Sequence, residues 1–162
     1  MAGAYTNANS DMLTLAPLIG NFGVAASIVF PTFGAAYGTA KSGQGIASIA
    51  PRRPNMIMKS IVHAVMAGVI AIYGLVVAVL LAQKIERASD YDLATAFGDL
   101  AGGLAVGICG MAGGMCIGVL GNWGTRSSAL RPQMFMSAVL MTGFAMVLGM
   151  YGLIVALLQA AK

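Results

Sequence analysis

The chain has 162 residues, of which 59% are hydrophobic and 9% charged, with a formal net charge of +4 and a mean hydropathy of +0.85. Soluble domains carry roughly a quarter charged residues, so this composition excludes an ordinary soluble enzyme and points to an all-α membrane protein. Nor is the basic balance a nucleic-acid surface: Lys and Arg flank apolar runs and do not form a patch with interleaved aromatics.

Four uncharged runs follow in order, Met12 to Ala40, Ser60 to Gln83, Leu100 to Thr125 and Pro132 to Ala161. Each exceeds the roughly 20 residues a helix needs to cross a bilayer. They predict helices over about 12–40, 56–83, 94–121 and 132–160, paired as a first hairpin 1–83 and a second 84–162. The N-terminal "MAGAYTNANSDM" has neither a basic region nor a cleavage site, so the first span is expected to serve as its own insertion signal. Pro31 should kink that span, because it removes one backbone donor and crowds the preceding turn. The segment "KSGQG" reads as loop and lacks the spacing of a phosphate cradle.

Loop charges orient the bundle. Lys41, Arg52, Arg53 and Lys59 between the first two spans, and Arg126 and Arg131 between the last two, stand without any acid and should be cytoplasmic. The middle connection "KIERASDYD" holds Glu86, Asp90 and Asp92 against two bases, and the N-terminus offers only Asp11. Both termini are therefore expected on the lumenal or exterior side.

The chain repeats itself. "MAGVIAIYGLVVAVL" (66 to 80) returns as "FAMVLGMYGLIVALL" (144 to 158), an offset of 78 that also carries Arg53-Pro54 onto Arg131-Pro132, Met58 onto Met136 and Tyr73-Gly74-Leu75 onto Tyr151-Gly152-Leu153. The second and fourth spans run in the same sense, so the halves are related by an axis along the membrane normal. Such a parallel duplication suits a ring. The third span holds nine glycines, among them Gly103, Gly107, Gly110, Gly114 and Gly118, whose small-xxx-small spacings let backbones approach closely. Small-residue spans belong at an inner wall, and the bulky second and fourth spans outside it.

The stretches "FGAAYGTAKSGQGIA" (33 to 47), "IMKSIVHAVMAGVIAIYGLVVAVLLA" (57 to 82) and "FAMVLGMYGLIVALL" (144 to 158) closely resemble the rotor proteolipid family of vacuolar-type proton-translocating ATPases. The resemblance spans roughly residues 14 to 158. It implies a four-helix double hairpin in the rotor ring of the membrane sector, with the first and third helices inside and the second and fourth outside. It further implies ring neighbours of the same family, a stator subunit with an essential Arg, central-stalk subunits and the surrounding lipid. The place would be the vacuole or another acidic endomembrane, and the chain would be a non-catalytic part of an ATP-driven proton pump.

The resemblance also marks a departure. Proteolipids of this type keep one buried Glu five residues before the Tyr of "YGLIVAL", and here that position is Met146, among Phe144, Ala145, Leu148 and Tyr151. The repeat counterpart, where a related ring subunit places its Glu, is Gly68. A rotor carrier must stay protonated against lipid and ionise beside the stator cation, which asks for a carboxyl of raised but switchable pKa. Met has no titratable group. The chain's acids are Asp11, Glu86, Asp90, Asp92 and Asp99, none of them expected at mid-membrane. His63 titrates in a usable range and is the alternative carrier, although an imidazole on an apolar helix is more often packing. Tyr73 and Tyr151 ionise near pH 10, too high to cycle.

Cys109 and Cys116, seven apart with no neighbouring His, read as small buried packing residues and not as a metal site or disulfide. No cofactor is expected. Two functions stand. One is a rotor-ring proteolipid that does not itself carry the proton at position 146, in a ring that could include Glu-bearing paralogues. The other is a structural or pore-forming proteolipid oligomer outside the pump. Copurification with soluble ATPase subunits separates them.

Overall fold

The computed structural model describes residues 2–87 and 91–161, with side chains described from Leu15 onward. Asp90, and the side chain of Asp11, lie outside the described residues. Four helices make up the described chain: α1 (Ala2–Ile49), α2 (Ile57–Arg87), α3 (Leu93–Leu130) and α4 (Met134–Ala160), with a 3-10 turn at Pro54–Met56 leading into α2. Each contains a stretch long and apolar enough to cross a membrane.

Helices α1 and α3 run longer than their apolar runs predict. The segment Lys41 to Ile49, including "KSGQG", continues α1 as helix, and α3 extends from Leu93 to Leu130. Lys41 is half-buried and Ser42 fully buried, so these residues are not loop. Packing explains the difference: Gly38, Ser42 and Gly45 abut α3 at Gly114, Gly121 and Asn122, and the contact holds the helix past the end of its apolar sequence. At 38 residues α3 is about 57 Å long. It must project beyond a hydrocarbon layer of roughly 30 Å.

Both hairpins break in the same way. Arg53 and Arg131 precede Pro54 and Pro132 and both leave the helical region, with φ of −144° and −135°, as a following proline requires; Arg131 is extended. Helix α3 starts at Asp92, whose carboxylate accepts the Leu93 N–H at 2.8 Å.

The glycines are used for closeness and not for unusual dihedrals, since no described glycine has positive φ. A Cβ on Gly103 would strike the carbonyl of Gly23. On Gly107 it would lie 3.0 Å from Ala26 O, on Gly110 2.9 Å from Pro31 Cβ and on Gly118 2.6 Å from Gly38 Cα. On Gly114 it would collide with the Gly34 backbone. All five stripe residues thus face α1, and α1 answers with Gly23, Gly34 and Gly38 of its own. Helices α2 and α4 touch α1 and α3 at equivalent points. Gly74 of α2 lies against Ser27 and Pro31 of α1, and Gly152 of α4 against Ala105 and Cys109 of α3. Adding 78 to each member of the first set yields the second, so the duplication holds at the level of contacts.

Helix α2 nests against α1, α3 and α4, whereas α4 packs mainly on α3. Ser60, Ala67, Gly74 and Ala78 are buried, as are their repeat mates Ala138, Ala145, Gly152 and Ala156. His63, Ile70 and Val77 are buried as well, but their mates Met141, Leu148 and Val155 are exposed. Ile70 explains the asymmetry, because its side chain fills a hole formed by Gly110, Gly113 and Gly149. Leu148 has no such hole within this chain.

Candidate functional site: the helix α4 carrier position

Position 146 lies midway along α4, between Met134 and Ala160. Met146 is half-buried and packs on the cluster of Ala67, Ile70, Ile117 and Ala145, together with Met66, Tyr73 and Leu120. Helices α2, α3 and α4 all contribute to this shell, and none of its members is acidic. Beside it opens an apolar groove of about 410 Å³ lined by Cys116, Leu120, Met141, Phe144, Ala145, Val147, Leu148 and Tyr151. Phe144, Leu148 and Tyr151 are exposed along it, and Ala145 is buried beneath. Cys116, expected to be buried, is exposed on its wall. Gly68, the repeat counterpart, has open space where a side chain would start.

This arrangement can hold an apolar contact, and none of the residues named around Met146 carries a carboxyl group. The α4 backbone nevertheless presents position 146 where three helices meet beside the groove.

His63 lies elsewhere. It is fully buried inside the bundle, edge-on to Phe135 with ring centroids 6.1 Å apart, and its Nδ1 is 3.4 Å from the Ser60 carbonyl. A Cβ on Gly121 would lie 3.0 Å from His63 Cβ, and one on Gly124 3.5 Å from His63 Nε2. Among the described residues, Nε2, Ser42 Oγ and Asn122 Oδ1 are buried without a hydrogen-bond partner. The imidazole thus faces its own subunit's interior and not lipid.

A second polar constellation has no counterpart among the sequence-based expectations. Asp99, on the second turn of α3, is fully buried: Lys84 Nζ donates to Oδ1 at 3.0 Å and the Tyr91 hydroxyl to Oδ2 at 2.6 Å. The pair ties the end of α2 and the connecting segment to the start of α3, and Tyr91 closes over Gly20 of α1. Burial, and then the Asp99 carboxylate, hold the Tyr91 hydroxyl well above its ordinary value of 10.0. A signal for it exists in the sequence, since an acid written into an apolar span requires a partner. Lys84, fifteen residues earlier, ends the preceding span. Among the described residues no His, Cys, Asp or Glu group could hold a metal ion.

The family of the ATP synthase C subunit matches residues 22–81 and again 100–159, two stretches related by the offset of the internal repeat. The V-type proton ATPase 16 kDa proteolipid of Nephrops norvegicus is 49% identical over 146 residues, 90% of this chain and 92% of the relative. Its human counterpart is 52% identical over 140 residues, covering 86% and 89%. That of Ascaris suum is 46% identical over 156 residues, covering 96% and 97%. Two matched domains, four apolar helices and identity along nearly the whole chain place this protein in the family of V-type proton ATPase 16 kDa proteolipids.

Proposed function

We propose that the chain is a proteolipid of the membrane rotor ring of a vacuolar-type ATPase, in the sector through which ATP hydrolysis drives protons across an acidic endomembrane. The observation that carries this reading is the row of exposed α4 residues Met141, Leu148 and Val155, whose repeat mates in α2 are buried. A surface patterned for burial and left uncovered calls for a neighbour, and the repeat supplies its shape. The next hairpin would meet α4 as α3 meets α2. In such a ring the glycine-packed pair α1 and α3 forms the inner wall, and α2 and α4 face lipid and the stator Arg. The termini would be lumenal. The chain is a non-catalytic member of the pump in this reading, with central-stalk subunits among its partners.

Within the ring this copy acts as a spacer at position 146. Met146 offers no carboxyl, His63 is buried within its own subunit, and Asp99 is engaged by Lys84 and Tyr91. Proton transport would then rest on Glu-bearing paralogues in a mixed ring. The lack of an acid at position 146 also favours the second reading, a ring-shaped proteolipid assembly outside the pump.

Affinity purification of the tagged chain from native membranes should recover the pump's soluble ATPase subunits, and recovery of proteolipids alone would favour the second reading. A hydrophobic carbodiimide, which modifies protonated membrane carboxyls, should leave the chain unlabelled and should label a Met146→Glu variant, because desolvation keeps that acid protonated. Labelling of the unmodified chain within a span would overturn the spacer role.

A further inference from the structure

The end of the bundle opposite Asp99 carries a cleft of about 540 Å³ between the C-terminal turns of α1 and α3. Three guanidiniums line it, Arg52 and Arg53 from the α1–α2 turn and Arg126 from α3, together with Ser48 and Leu130. The turn is set by backbone bonds: the Arg52 and Arg53 amides both donate to the Ile49 carbonyl at 3.0 Å, which holds the two side chains at one edge of the cleft. Arg52 and Arg53 are exposed and Arg126 lies beside them on the cleft wall. Among the described residues none of their side chains makes a hydrogen bond or ion pair, and the one ion pair is Lys84–Asp99 at the other end. Neither residues 41–59 nor residues 120–140 contain any Asp or Glu, so the positive charge at this end is uncompensated.

Three unpaired guanidiniums around one cleft form a site for a phosphate, since each offers forked N–H donors to anionic oxygens. The apolar partner is there too. Leu130, the last residue of the spanning helix α3, is 82% exposed at the cleft wall, and the Ile49 side chain is buried beneath. Charge beside an apolar wall at one end of the spanning helices matches a lipid better than a free ion, and basic pockets between spanning helices attract anionic headgroups. We propose that this cleft binds the phosphate-bearing headgroup of an anionic membrane phospholipid.

The test uses the full chain purified in neutral detergent and exposed to vesicles of phosphatidylcholine alone or with phosphatidic acid, with retained lipid read by native mass spectrometry. Phosphatidic acid should be retained selectively. Replacing Arg52, Arg53 and Arg126 by Gln should lower that retention by about fivefold per guanidinium removed. The corresponding Lys variants, which keep the charge and lose the fork, should fall between, and Lys59→Gln, off the cleft, should change retention little. Because the three side chains have no partners in the fold, circular dichroism should be unchanged. A free-phosphate arm separates the sources: inorganic phosphate at millimolar concentration should not displace the lipid. Equal retention of both lipids, full retention in the triple Gln variant, equal loss in Lys59→Gln, or displacement by inorganic phosphate would each overturn the proposal.

Discussion

Val77 in α2 is 1% exposed and Val155, its repeat mate in α4, is 52% exposed; Ile70 and Leu148 differ as widely, at 0% and 49%. The two helices share their sequence pattern, so the difference comes from their neighbours. Helix α2 packs against α1, α3 and α4, whereas α4 packs mainly on α3. Side chains at equivalent positions of a repeat thus do different work: in α2 they hold one subunit together, and in α4 they are available to hold one subunit to the next.

The largest effect is expected where the α1–α3 pair that supports both α2 and α4 is disrupted. Gly114→Leu places a side chain where the α3 backbone meets Gly34, and should cost about 3 kcal/mol or more. Thermal unfolding in detergent should show the loss, with no recovery of assembled rings. Stability near that of the unmodified chain would mean that α1 and α3 are not held backbone to backbone at this point.

A matched pair of substitutions addresses α2 and α4 directly. Ile70→Ala empties the hole among Gly110, Gly113 and Gly149 and should destabilise the isolated chain by about 3 kcal/mol. Leu148→Ala should change the isolated chain by less than about 1 kcal/mol, as exposed positions do. It should instead weaken oligomers on native gels. Equal effects of the two variants on the isolated chain would remove the distinction between α2 and α4.

A smaller effect is expected where α2 meets α3 at the end carrying Asp99. Asp99→Asn leaves Lys84 without its ion pair and should cost about 2 kcal/mol, less than a fully buried pair because Lys84 remains partly exposed. The pH dependence has a definite sign. The folded Tyr91 hydroxyl ionises above its ordinary 10.0, so the folded state holds that proton more tightly than the unfolded chain. Its contribution is complete below pH 10 and declines as pH rises further. Tyr91→Phe should therefore be less stable than the unmodified chain at neutral pH and lose less on going above pH 10, as followed by alkaline unfolding.

The smallest change is expected at Gly68, the vacant counterpart of Met146. Nothing lies within 4 Å of a Cβ placed there, so Gly68→Ala should be neutral or stabilising by up to about 1 kcal/mol through helix propensity. The same change at Gly152 should be destabilising, since its Cβ would come within 2.6 Å of Cys109 Cβ. Thermal unfolding of the two variants should move in opposite directions, as an open and a closed helix face require.

Class, helix number, duplication and the α1–α3 glycine stripe could be read from the residues, because hydropathy, a 78-residue offset and small-residue spacing are local or periodic signals. The Met at position 146 was equally plain, since a residue type needs no coordinates. Three things were not. The ends of α1 and α3 depend on contacts between Gly38, Ser42 and Gly45 and a helix more than seventy residues away, which no local composition reports. The burial of His63 and the engagement of Asp99 by Lys84 and Tyr91 depend on how helices are rotated about their axes. The division between α2 and α4 depends on which faces have a neighbour. One-dimensional pattern determines that a helix forms and is apolar; only packing decides which of its side chains meet protein and which are left for lipid or the next subunit.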